Sequence, residues 1–536
     1  MASTYSSEKV DYSAAMNLEP VAAADWLIVA PVLVSLIGGA VCLMMRKNTD
    51  AQPKLAMLFL ALLVLVNFGL LIRVLDQGVI TMVMGGWLPP FGIAFTVDAL
   101  GATLSLIASI VAFCAGLYGI VTVGTTGRRY GFYPFLVLLM AGVCGAFLTG
   151  DIFNLYVWFE VLLISSYGML VLGNEKPQLD GAVKYGVLNL IGTNFFLIGT
   201  GMIYGVFGTL NMADIAIKMS ELDSPASGTL LTIAVLYFLA FAMKAAAFPV
   251  NFWLPASYHT PNIVVSAVFA GLLTKVGVYA LLRIFVLIMP GSREALADLF
   301  ALVAILTLMT GAFGALAQSE LRRLLGYLVI AGIGSMLAGI AVGTTLALSG
   351  AIFYAVHSII VMTALYMASG IVNMMSGTYD LRQLGGLYQR NVAFAAVFLV
   401  LAFAVSGLPP FSGFWPKVLL VDAAFADGRA LLGAAILLSG FLTTIAMGRV
   451  WIYAFWRGGP EGTPDGESVG TGAAAAAVGG GAAGLAGPAV WLPLGILTAM
   501  IVYFGLQPEW MLELSTRGAV GLVEPRGYLR SVFGGL

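Results

Sequence analysis

About fourteen apolar runs succeed one another through this chain, each long enough to cross a hydrocarbon layer of roughly 30 Å as a helix. They fall near residues 26–45, 55–75, 97–122, 132–149, 152–172, 183–208, 229–250, 262–289, 296–317, 323–345, 348–375, 392–422, 430–456 and 490–507. A chain in lipid must satisfy its backbone polar groups internally, so this succession calls for a helical bundle. The expected fold is an all-α polytopic membrane protein with about 14 transmembrane helices. With 60% hydrophobic and 10% charged residues, the composition excludes a soluble globular domain, which carries about 25% charged residues. A formal net charge of -1 offers no basic patch, and nothing points to nucleic acid as a partner.

Cys42, Cys114 and Cys144 lie in apolar runs without ligand spacing and read as packing residues. With two histidines, His259 and His357, and no CxxC or HExxH pattern, the sequence carries no signature for a metal, haem or other cofactor. The first span ends in Arg46 and Lys47 without a small-residue cleavage motif, which predicts an uncleaved helix. Basic residues gather in alternate loops: Arg46, Lys47, Lys54, Arg128, Arg129, Lys176, Lys184, Arg322, Arg323, Arg382, Arg390 and Arg457. The opposite loops hold Asp151, Asp214, Glu221, Asp223, Asp298 and Asp427, so the positive-inside rule predicts both termini on the outer face of the cell membrane. From 457 to 489 a Gly/Ala-rich stretch reads as a flexible cytoplasmic linker before a last helix and tail at 490–536.

Five ionisable residues stand well inside the predicted spans: Glu160, Lys244, Lys275, His357 and Lys417. A charge at mid-bilayer costs about 3 kcal/mol on insertion scales, so such residues face a cavity or a partner and mark an ion pathway. Five of them in separate helices suggest a polar axis. Glu160 calls for a cationic partner, and a carboxylate and an ammonium sharing a cavity favour each other's charged forms. Lys244 sits shortly before the helix-breaking Pro249, while Pro409, Pro410 and Pro416 break a later span directly ahead of Lys417. Broken helices are tolerated at this depth where they line a cavity, and the mirrored order of lysine and proline suggests two inverted halves. The bland readings are a lysine that snorkels to the interface, a static ion pair fixing two helices, and a hydrogen-bonded core histidine at 357. His259 falls near the cytoplasmic face and reads as a loop residue rather than a relay member.

Four stretches, GDIFNLYVWFEVLLISSYG, FAMKAAAFPVNFWLPASYHTPNIVVSAVFAGLLTKVGVYAL, ELRRLLGYLVIAGIG and GLPPFSGFWPK, resemble the proton-translocating antiporter-like subunits shared by complex I, membrane-bound hydrogenases and Mrp-type multisubunit cation/proton antiporters. The likeness is greatest to the D-type Mrp subunits, which resemble this chain in the lysine at 417. It implies helices 1–3 within 1–131, a first five-helix repeat over 132–289 and an inverted second over 296–456. It also implies proton transfer through Glu160, Lys244, Lys275, His357 and Lys417, and partners among A-type, C-type and small membrane subunits. Two departures stand out: Met362 replaces a lysine common in relatives five residues after the histidine, and Asn251 replaces a frequent histidine.

The function so implied is Na⁺/H⁺ exchange by a secondary-transporter subunit in a bacterial plasma membrane. The alternative is a proton-pumping subunit of complex I or a membrane-bound hydrogenase, with the redox centres in other chains.

Overall fold

A computed structural model describes residues 15–16, 21–222, 227–459 and 487–534. The Gly/Ala-rich linker expected at 457–489 lies largely outside these residues. The chain enters through α1 (Trp26–Met44) and α2 (Ala51–Gln77), then turns through an antiparallel hairpin of β1 (Ile80–Val83) and β2 (Ala94–Val97). Eight helices follow in alternation: α3 (Ala99–Thr122), α4 (Phe132–Leu148), α5 (Ile152–Leu170), α6 (Lys176–Phe207), α7 (Gly228–Ala245), α8 (Ile263–Leu282), α9 (Ala297–Ala317) and α10 (Leu321–Val342). Then come α11 (Thr345–Ser376), α12 (Val392–Ser406), α13 (Phe414–Ala426), α14 (Ala430–Trp451) and α15 (Pro488–Leu506). Two helices close the described chain, α16 (Glu509–Val523) and α17 (Arg526–Phe533).

Among the described residues, 12 helices are long and apolar enough to cross a membrane, and the shorter apolar helices Phe132–Leu148 and Val392–Ser406 bring the spans to the number expected. The span expected at 392–422, with a break at its prolines, consists of two helices, α12 and α13, separated by a turn. The hairpin and the two closing helices lie outside the expected pattern. Short strands and amphipathic helices carry too little apolar length to register as spans.

Helices that are apolar all round sit inside the bundle. In α8 the whole of the most apolar 18-residue window is buried, and in α11 89% of it is, against 33% in α2. So α8, α10 (94% buried in the same measure) and α11 form the centre, while α2 and α6 face outward. Hairpin α4–α5 and hairpin α9–α10 close on the same pattern of small residues. A Cβ on Gly142 or Gly145 would collide with Leu162 or Trp158, and one on Gly311 or Gly314 with Ala331 or Tyr327. Backbone ends are tied on each face, by bridges Phe95–Thr149 and Asp151–Asn211 on one and Glu320–Asp380 on the other. The basic residues of the expected cytoplasmic loops share the second face.

Candidate functional site

Two helix breaks organise the interior. Helix α7 ends on Ala246 in the left-handed conformation (φ 61°), where Ala247 N donates to Ala242 O and Ala246 N to Met243 O. Helix α12 ends in the same way on Gly407 (φ 83°), with Leu408 N donating to Phe403 O and Gly407 N to Ala404 O. This paired capping satisfies carbonyls that a bilayer interior could not. Each left-handed residue is followed three positions later by a proline, Pro249 or Pro410, and then by a resumed helix at Trp253 or Phe414.

Each break holds an ammonium. Lys244, in the last turn of α7, is 5% exposed and donates to Thr193 Oγ1 of α6 at 2.9 Å, with its Nζ 5.6 Å from the Phe159 ring centroid. Lys417, in α13, reaches back across its break to Ser406 O at 2.6 Å and Val405 O at 3.5 Å, the last residues of α12. Lys275 is 1% exposed and donates to Ala270 O of its own helix at 2.6 Å. At such burial neither Lys244 nor Lys275 snorkels.

His357, 1% exposed in α11, shares a 2.8 Å hydrogen bond between Nδ1 and Ser412 Oγ in the second break. Its Nε2 is buried and has no hydrogen-bond partner among the described residues. The ring lies against Gly413, whose absent Cβ would stand 2.9 Å from Nε2. It stands within electrostatic reach of both Lys275 and Lys417. Met362, buried further along α11, adds no ionisable group.

Glu160 does not form a contact ion pair with Lys244. Among the described residues no ion pair to Glu160 falls within 4.0 Å, its Oε1 is buried without a partner, and Lys244 feels its charge at longer range. The ammonium's close contacts are instead the Thr193 hydroxyl and the Phe159 ring. Asn251, in the first break, donates through Nδ2 to Thr310 Oγ1 of α9 at 2.9 Å and so pins the break to the other half.

Residues 149–443 match the family described as NADH:quinone oxidoreductase/Mrp antiporter, TM. The chain belongs to this family. It is 37% identical over 506 residues to the D-type subunit of the Na(+)/H(+) antiporter of Alkalihalophilus pseudofirmus, covering 94% of this chain and 99% of that protein. The same identity holds over 505 residues for the corresponding D-type antiporter protein of Bacillus subtilis, at 94% and 99% coverage. A chain in the structure of the Mrp complex from Dietzia sp. shares the fold with a TM-score of 0.86 at 28% identity, covering 96% of this chain and 100% of that one. The family match spans both helix breaks and all five of the ionisable residues singled out from the sequence.

The count of five missed Arg283, the residue that follows α8 in the same buried span. Its guanidinium, 1% exposed, donates through Nη2 to Asp98 Oδ1 at 2.5 Å and through Nε to Tyr279 Oη at 2.9 Å. Asp98 also caps α3 by accepting from Gly101 N. The Tyr528 ring of α17 packs over the same guanidinium, 5.5 Å from its carbon. An arginine inside the apolar run expected at 262–289 was the available signal.

Proposed function

We propose that this chain is the D-type membrane subunit of a multisubunit Na⁺/H⁺ antiporter and that protons cross it through Glu160, Lys244, Lys275, His357 and Lys417. The observation that carries the reading is the pair of matched helix breaks, each with a lysine ammonium held against a few neutral oxygens. An ammonium so held, with no carboxylate in contact, can give up its proton without stranding a paired anion. In this scheme Glu160 and Lys244 form the gating pair at the first break, coupled through their charges. Lys275 and His357 carry the proton across the centre, and Lys417 exchanges with the far side.

His357 suits the bridging role because one nitrogen is fixed by Ser412 while the other is left to take up or release a proton. A membrane potential of 100 mV acting on one elementary charge supplies about 2.3 kcal/mol. One pKa unit is about 1.4 kcal/mol, so voltage and protonation can drive each other. The repeats are 132–289 and 296–456, supported by the shared glycine pattern of α4–α5 and α9–α10 and by the shared capping of the breaks. The partners are A-type, C-type and small membrane subunits in a bacterial plasma membrane, with both termini outside as the basic loops indicate.

The test is Na⁺-dependent proton flux in vesicles containing the full complex. Lys244→Ala and Glu160→Ala should each abolish most of the flux while the complex still assembles. Unchanged flux in both variants would sink the relay. The redox-pump reading, favoured by the shared family description, makes a different demand: flux that requires electron transfer in partner chains and persists without Na⁺.

A further inference from the structure

On the basic face a cleft of about 650 Å³ opens between the start of α6, the short helix Trp253–Ser257 behind the first break, and the start of α10. Its charges do not cancel. Lys184 is neutralised by Asp180 at 2.5 Å. Glu320 beside the cleft is taken by Arg322 Nε at 2.7 Å and by the backbone N of Arg323. Lys176 and the Arg323 guanidinium, both lining the cleft, have no carboxylate within 4.0 Å among the described residues.

Among the described residues, the side-chain hydrogen bond of Arg323 is with a neutral group. Its Nη2 donates to His259 Nε2 at 3.0 Å, and His259 Nδ1 donates to Pro255 O at 2.8 Å. That tautomer requires an uncharged imidazole. Burial first, and then Arg323 itself, hold the His259 pKa below its ordinary value. Two cations therefore line a cleft whose one carboxylate, Asp180, is already paired with Lys184, and neither has an anion in contact among the described residues.

On α6, beside the face that lines the cleft, runs an apolar stripe. Leu179, Val183, Val187 and Leu190 follow one another along α6 at helical spacing, and they are 45%, 63%, 54% and 57% exposed. The stripe runs for roughly 16 Å at 1.5 Å per residue, about half of a 30 Å hydrocarbon layer and so one leaflet deep. Phe252, 60% exposed, adds an apolar side chain to the cleft itself. A free anion would use the cations and ignore the stripe, whereas a phospholipid uses both.

We propose that this cleft seats the phosphate-bearing headgroup of an anionic phospholipid between Lys176 and Arg323, with an acyl chain lying along the exposed stripe of α6. Basic pockets between helices on this side of a membrane are suited to such headgroups. The site lies at the basic-face mouth of the first break, so an occupant there adjoins the segment that positions Lys244.

The test uses the full complex in phosphatidylcholine vesicles doped with photoactivatable phosphatidylglycerol or photoactivatable phosphatidylcholine, each with its reactive group on the acyl chain. Peptides covering 179–190 are then quantified by mass spectrometry. Phosphatidylglycerol should label them several-fold more than phosphatidylcholine, and K176Q/R323Q should weaken an affinity set by two basic contacts roughly 30-fold. Competition in the unaltered complex keeps the test independent of folding: unlabelled phosphatidylglycerol should displace the label and excess inorganic phosphate should not. Equal labelling by the two lipids overturns the proposal, as does a preference that survives in K176Q/R323Q. Displacement by inorganic phosphate would assign the cleft to a free anion and overturn the lipid assignment.

Discussion

Lys417 lays its ammonium 2.6 Å from the carbonyl oxygen of Ser406, closing the second helix break from the far side. The turn between them is possible because Gly407 has φ 83° and no side chain. A Cβ there would stand 2.5 Å from Lys417 Cδ and 2.8 Å from Nζ. Gly407→Ala should therefore cost about 1–2 kcal/mol for the left-handed backbone and, beyond that, push the lysine off its carbonyl. Proton flux should fall as far as in Lys417→Ala. Gly428, also left-handed at φ 73° but with nothing within 4 Å of its Cβ position, isolates the backbone cost. Gly428→Ala should lower thermal stability and leave flux intact.

Thr193 is the hydrogen-bond acceptor that the protein gives to Lys244. Removing a hydrogen bond to a charged buried group costs about 1.5–3 kcal/mol. Thr193→Val keeps the volume and deletes the acceptor, so flux should drop by at least about tenfold. Thr193→Ser keeps the hydroxyl and should retain most of it. The measurement is initial-rate proton flux at matched protein incorporation. Equal rates in the two variants would show that Lys244 does not depend on this contact.

Much of the bundle was legible because a membrane span is written in length and hydropathy, which need no partner to be read. The five ionisable residues were legible for the same reason, since a charge in an apolar run is conspicuous. Their contacts were not. Thr193 lies 51 residues from Lys244 and looks like any helical threonine, and only the packing of α6 against α7 makes it an acceptor. Sequence shows the charges of Glu160 and Lys244 but not the Thr193 hydroxyl that accepts from the ammonium or the Phe159 ring 5.6 Å from it. The hairpin was hidden because ITMV and AFTV are too short to stand out beside long apolar helices. Arg283 was visible as a residue, but its partner Asp98 sits 185 positions away at the cap of α3.

That Arg283–Asp98 pair is 1% and 5% exposed. Breaking a buried pair by removing one partner costs about 3–5 kcal/mol, because the remaining charge is left uncompensated. Asp98→Asn should accordingly lower the melting temperature and the yield of assembled complex. Arg283→Gln should do the same. In the double variant the losses should be less than additive, because no charge is then stranded. Thermal unfolding of the detergent-purified complex provides the measurement. Full additivity would mean that the two side chains are energetically independent despite their 2.5 Å approach.

His259 lies outside the membrane spans, and burial followed by the Arg323 charge lowers its pKa from the ordinary 6.5, outweighing the Pro255 carbonyl and Glu320. The folded protein then binds fewer protons at this site than the unfolded chain does below pH 6.5. Stability therefore rises with pH through that window, and it falls as the medium is acidified towards the lowered folded value. One site contributes at most about 1.4 kcal/mol per pH unit. The complex should melt at a lower temperature at about pH 5.5 than at about pH 7.5. In His259→Gln, where nothing titrates but an acceptor for Arg323 remains, the pH dependence should be shallower by that one-proton slope. Identical slopes in the two proteins would mean that His259 carries its proton in the folded state, and the hydrogen bond from Arg323 to Nε2 would then have to be abandoned.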